Sequence, residues 1–220
     1  MLFTGEAARE FTTSANPKAS SDRVLLADPA LSTRPELLAK ISALLNCAVA
    51  SDGGRDIALA LESGQPLAQE RKASFIDSLT KARSVIVADG LLARQLSAWM
   101  PKTSVFGLGQ ALSALPSVRQ ALGPADLYVI EPRAYHSSYA TLVHYYDRFR
   151  RETGCLLSLD LQHVAVPARA QGMKGKATFA QAEWLLKGRN AKRIIVEDLN
   201  DMDTLKQASG LPVLHVAELV

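Results

Sequence analysis

Val24-Leu25-Leu26-Ala27-Asp28-Pro29 and, later in the chain, Leu127-Tyr128-Val129-Ile130-Glu131-Pro132 are the two stretches whose reading decides the fold. Each is a short apolar run without polar alternation, the pattern of a strand buried on both faces, and each is broken by an acid followed by proline. Three more stretches recur in the same order about 108 residues apart. A helical stretch ending at Cys47 returns as one ending at Cys155. Ala82-Arg83-Ser84-Val85-Ile86-Val87-Ala88-Asp89 returns as Ala191-Lys192-Arg193-Ile194-Ile195-Val196-Glu197-Asp198, and Val105 to Ala111 returns as Val213 to Leu219. A period this long is not that of a solenoid, whose repeats run to roughly 20–50 residues; it describes a duplicated unit and a pseudo-twofold body.

Within the first unit, Val24 to Ala27, Cys47 to Ala50 and Ser84 to Ala88 read as strands, with Val105 to Leu108 a fourth. Between them, Pro35-Glu36 opens a helix with Leu37, Leu38, Ile41, Leu44 and Leu45 on one face. Two helical stretches flank Ser63-Gly64-Gln65-Pro66, and a further helix carries Leu92, Leu96 and Trp99. The second unit repeats this with strands at Leu127 to Ile130, Leu156 to Leu159, Ile194 to Val196 and Val213 to Val216, and helices at Tyr139 to Thr153 and Ala180 to Lys187. Strands alternating with helices predict an α/β protein of two tandem related units, each with a parallel sheet flanked by helices. Residues 1–22, polar and aperiodic, read as a flexible N-terminal arm; the units span 23–115 and 124–220, with Pro116 and Pro124 at their junction. Pairing of the last strand of one unit into the other sheet is the open alternative.

The chain has 220 residues, 48% hydrophobic and 21% charged, enough to bury a sizeable core. A net charge of +3 and no basic stripe interleaved with aromatics argue against nucleic acid as a partner, although Arg148, Arg150 and Arg151 cluster. The two cysteines build no disulfide framework, and no ligand spacing suggests a metal. The N-terminus lacks the basic start and apolar run of an export signal, and no apolar stretch reaches the length of a membrane helix. A cytoplasmic protein without membrane attachment is expected.

In parallel α/β sheets ligands bind beyond the carboxyl ends of strands. The duplication sets acids there twice: Asp28 with Glu131, Asp52-Gly53 with Asp160-Leu161-Gln162, and Asp89 with Glu197-Asp198. Such acids ordinarily cap the following helix; the alternative is a binding or acid–base role. His136 is the candidate for proton transfer, with Arg133 placed to hold an anion beside it and Glu131 nearby. His144, His163 and His215 read as structural, Cys47 and Cys155 as core residues, and Lys174-Gly175-Lys176 as a solvated loop that could touch phosphate. Gly107-Leu108-Gly109 lacks the third glycine of a dinucleotide fingerprint.

This layout resembles the CCG-domain family, the cysteine-rich, heterodisulfide-cleaving component of heterodisulfide reductase and related iron–sulfur oxidoreductases, built from two such domains in tandem. Ser51-Asp52-Gly53 stands where the Cys-Cys-Gly turn of such a domain would be, and Val85 to Asp89 falls near its last cysteine pair. Leu159-Asp160-Leu161 and Glu197-Asp198 take the like places in the second unit. The likeness covers Val24 to the end and rests on layout and apolar pattern. Every cluster cysteine is replaced, and the gap from Asp28 to Ser51 is shorter than the family's spacing. What the resemblance implies is a degenerate member without a cluster or other cofactor. It would serve as an accessory or scaffold subunit beside the iron–sulfur and flavin subunits of a heterodisulfide reductase-like complex, in sulfur oxidation. The aromatic and basic stretch from Arg133 to Arg151, with Tyr135, Tyr139, Tyr145, Tyr146 and Phe149, is expected to be its exposed interface. The alternative function is a small-molecule-binding enzyme with its site between the units around His136.

Overall fold

Two four-stranded sheets, every strand pair parallel, carry the two halves of the computed structural model, which describes residues 22–170 and 175–220. The predicted N-terminal arm, apart from Asp22, and Lys174 lie outside the described residues. In the first half β1 (Arg23–Leu26) is followed by the single-turn α1 (Pro29–Ser32), α2 (Pro35–Leu45) and β2 (Ala48–Val49). Then come α3 (Arg55–Ser63), α4 (Gln69–Leu79), β3 (Ser84–Val87), α5 (Gly90–Trp99) and β4 (Ser104–Gly107). Helices α6 (Leu108–Ser113) and α7 (Pro116–Gln120) lead into the second half.

That half repeats the plan with β5 (Asp126–Val129), α8 (Pro132–Ser137), α9 (Tyr139–Thr153), β6 (Leu156–Leu157) and α10 (Lys176–Leu186). It closes with β7 (Arg193–Val196), a 3-10 turn (Leu199–Asp201), α11 (Met202–Ser209), β8 (Val213–His215) and a last 3-10 turn (Val216–Leu219). The sequence reading missed α11 and the turns α1 and α8, which the acid-Pro pairs start rather than prevent, because proline is well tolerated in a helix's first turn.

The strand orders are β2-β1-β3-β4 and β6-β5-β7-β8, so the duplication extends to topology and each last strand stays in its own sheet. Equivalent helix ends match as well. The left-handed residues Asn46 (φ 47°) and Gly154 (φ 72°) stop α2 and α9, and each is followed by a buried cysteine. A left-handed residue there reverses the chain and lets the last helical carbonyls find donors.

Both faces of the central strands are buried, which explains their unbroken apolar runs. Leu25, Ile86, Tyr128, Ile130 and Ile195 point into a core shared by the two halves, filled from α2, α6, α7 and α9. Alternate residues face two outer cores: Leu26, Val85 and Val87 against α3–α5, and Leu127, Val129, Ile194 and Val196 against α10 and α11. The aromatic stretch of α8 and α9 belongs mainly to the shared core. Tyr135, Tyr146 and Phe149 are buried and Tyr145 is half-buried, leaving Tyr139 as its exposed ring, so the expectation of an exposed aromatic interface there is corrected. The helix is amphipathic, with its arginines on the outer face. Among the described residues no helix is long and apolar enough to cross a membrane.

Candidate functional site

In each sheet the chain winds in opposite directions from the central pair, β1 and β3 or β5 and β7, which creates a crevice beyond their carboxyl ends. Asp28 and Asp89 stand at one such switch point, and Glu131, Glu197 and Asp198 at the other. Four of them cap the helix or turn that each precedes. Asp28 Oδ1 accepts from Leu31 N at 2.8 Å, Asp89 Oδ1 from Leu91 N at 2.9 Å and Leu92 N at 3.0 Å, and Asp198 Oδ1 from Asn200 N at 2.8 Å. Glu131 Oε2 accepts from Ala134 N.

Capping leaves the second oxygens to other work. The two switch points face each other, and Arg133 joins them. Its Nε donates to Glu131 Oε1 at 2.8 Å and its Nη1 lies 3.4 Å from Asp89 Oδ2 in the other half. Burial works against the charge of Arg133, but Glu131 and Asp89 together raise its pKa above the ordinary arginine range. Burial raises the pKa of Glu131, and Arg133 counteracts this. Asp28 is likewise pushed up, by burial first and then by the charges of Asp198 and Asp89. Glu131 and Asp89 thus share one guanidinium, and the raised pKa values of Glu131 and Asp28 beside it are of the kind that gather at functional sites.

Behind this group Glu197 is 6% exposed. Its Oε1 accepts from Tyr128 Oη at 2.8 Å and Tyr146 Oη at 2.5 Å, and its Oε2 accepts from Glu131 N at 2.9 Å. Burial lifts its pKa to about 7 against the pull of these three donors. A side chain at Gly109 would overlap this carboxyl, and one at Gly90 would overlap Glu131 and the backbone of Ala134. The two glycines are what allow the halves to close. A cavity of about 50 Å³ remains at the seam, bordered by Arg94, Gly107 and Gln110 from the first half and Glu131, Ser138 and Glu197 from the second. At ~30 Å³ per water it accepts a water or the polar end of a small molecule.

Sharing Arg169 with Asp198, Asp201 accepts from Arg169 Nε at 3.1 Å and is raised to about 7, by burial first and then by Asp198. From sequence Tyr146 reads as an interface residue and Gly109 as part of an incomplete dinucleotide fingerprint, while Asp201 and Tyr128 carry no expected role. The only local signal was a tyrosine in an otherwise aliphatic strand.

The remaining candidates fall elsewhere. His136 Nε2 donates to Ala165 O at 2.9 Å, which ties α8 to the segment after β6 and not to the Arg133 group. The expected pairing of Arg133 with His136 around an anion is therefore corrected, since carboxylates already occupy the guanidinium. Asp52 accepts from Gly54 N and pairs with Arg71 at 2.9 Å, while Gly53 lies flat against the Ala27 carbonyl. Asp160 accepts from Gln162 N at 2.8 Å and Val164 N at 3.0 Å in an exposed turn that includes Gln162. His144 and His163 are exposed, and His215 is buried with its Nδ1 accepting from Ala217 N at 3.3 Å. Burial raises both Cys47 and Cys155 to about 11, so neither offers a thiolate. Among the described residues no group of three or more His, Cys, Asp or Glu is arranged to hold a metal ion.

Comparison with protein-family models, with curated proteins and with solved structures gives no match to this chain.

Proposed function

We propose that the chain binds a small polar molecule at the seam, where the facing switch points of its two sheets meet, with Glu131 and Glu197 as the acid–base groups. The observation that carries this reading is the cavity at the seam, bordered by the strand-end acids Glu131 and Glu197, with Glu131 bridged through Arg133 to Asp89 of the other half. Because Arg133 is engaged by two carboxylates and further acids surround it, the ligand is neutral or positively charged. A carboxyl raised toward neutrality can give or take a proton at working pH.

The test is thermal denaturation with a panel of amines, nucleosides and polyols beside carboxylates and phosphates. A ligand at a hundred times its Kd adds about 2.7 kcal/mol to apparent stability. Stabilisation by an amine or neutral compound, lost in Ser138→Ala, is the expected result. No shift with any compound, or shifts with anions alone, would reject the reading.

A second reading, an accessory subunit of a heterodisulfide reductase-like assembly, draws support from two apolar side chains on the second half. Leu161 is fully exposed in the turn that stands for a cluster-binding turn, and Trp184 on α10 is 54% exposed. Affinity purification from the native host under anaerobic, reducing conditions tests it. Co-elution of iron–sulfur and flavin subunits, abolished by Leu161→Asp, is expected; isolation of the protein alone counts against it.

A further inference from the structure

Glu197 ends β7 inside the protein yet borders the seam cavity, so one carboxyl touches both halves and has a route to solvent. It is held by Tyr128 from β5, Tyr146 from α9 and the Glu131 amide at the end of β5, and it presses on Gly109 of α6 in the first half. The titratable and charged groups around it come from every neighbouring element. Glu131 lies beside it with Arg133 beyond, Tyr145 adds a second α9 ring, and Asp198 follows it in the chain. His215 of β8 meets its backbone, and Arg94 of α5 borders the same cavity. Helix α6 contributes Gly109 and no charge.

We infer that Glu197 is a proton-operated latch between the two halves. Protonated, it is a neutral filler on which Gly109 and α6 can rest. Ionised, it carries a charge that Gly109 and α6 keep from water, and parting of the halves rehydrates that charge, so ionisation favours opening. The step is a simple dissociation: the carboxyl O–H bond breaks and its proton leaves to water through the cavity. The latch needs no ligand, so it stands whether or not the seam binds one.

The sign follows from linkage. Burial holds the folded pKa at about 7, above the ordinary 4.5, so this group favours the closed state at low pH and the advantage is lost as pH rises through about 7. Hydrogen exchange of the Glu131 amide, corrected for intrinsic rate, reads the opening. In the wild type, opening should become up to roughly tenfold easier per unit between about pH 5 and about pH 7, then level off. In Glu197→Gln, neutral at every pH, that slope should be gone; Asp201 titrates in the same window but affects both proteins alike. Equal slopes in the two would overturn the inference. Infrared spectroscopy of the wild type and Tyr146→Phe gives an independent reading should the Gln variant fail to fold. Removing one donor to the carboxylate should move loss of the protonated-carboxyl band to higher pH, and an unmoved midpoint would also overturn it.

Discussion

Arg133 Nη1 in the second half stands 3.4 Å from Asp89 Oδ2 in the first, while its Nε holds Glu131 Oε1 at 2.8 Å. One guanidinium therefore neutralises two strand-end acids that would otherwise face each other across the seam. Removing one partner of a buried ion pair leaves the other charge without compensation. Arg133→Ala should cost about 3–5 kcal/mol in chemical denaturation. Adding Glu131→Gln to it should cost less than the sum of the single changes, and strict additivity would show that the pair does not couple.

Gly109 and Gly90 are sites where a methyl group meets carboxyl or backbone atoms of the other half. Gly109→Ala should destabilise by about 1–3 kcal/mol, since the Glu197 carboxyl is fixed by three donors and cannot yield freely. Gly123→Ala is the control. It has open space around the added methyl and should change stability by less than about 0.5 kcal/mol in the same assay.

His215 and Asp201 pull the pH dependence of stability in opposite directions. Burial lowers His215 to about 4, so its stabilising neutral state is intact above about pH 6.5 and is lost as pH falls through about 4. Asp201, raised to about 7 by burial and then by Asp198, supplies stability at low pH that is lost as pH rises through about 7. His215→Asn keeps a capping acceptor and removes the titration. The advantage of wild type over this variant should shrink on acidification by about 1.4 kcal/mol per pH unit between about pH 6 and about pH 4. Parallel stability curves would contradict the assignment.

Cys47 and Cys155 sit behind equivalent helix ends, 3% and 1% exposed, and burial is the main cause of their raised pKa values. Positive charge from Arg23 reaches Cys47 but does not offset burial. A disulfide exchange reagent at about pH 8 should label neither thiol in the folded protein and both after denaturation. Fast labelling of either in the native state would restore a role in thiol chemistry.

Much of the scaffold was written locally. Val24 to Leu26 and Leu127 to Val129 are apolar without alternation because both faces meet a core, and proline after Asp28 and Glu131 marks the strand end wherever the strand packs. The helix from Tyr139 to Thr153 was equally legible, but which side of it lay outside was not. Tyr135, Tyr146 and Phe149 looked available for an interface until the second sheet supplied the core that covers them.

The site separates the two levels most clearly. Sequence alone determined that acids end the central strands of both units, because capping and strand termination depend on residues within a few positions of one another. Only the tertiary structure decided that these acids meet across a seam and that Arg133, not His136, lies among them. Glu197 finds Tyr146 and Glu131 at separations of 51 and 66 residues. Those bonds depend on how two sheets pack through a shared core and on two glycines that let them close, a geometry that no local pattern encodes.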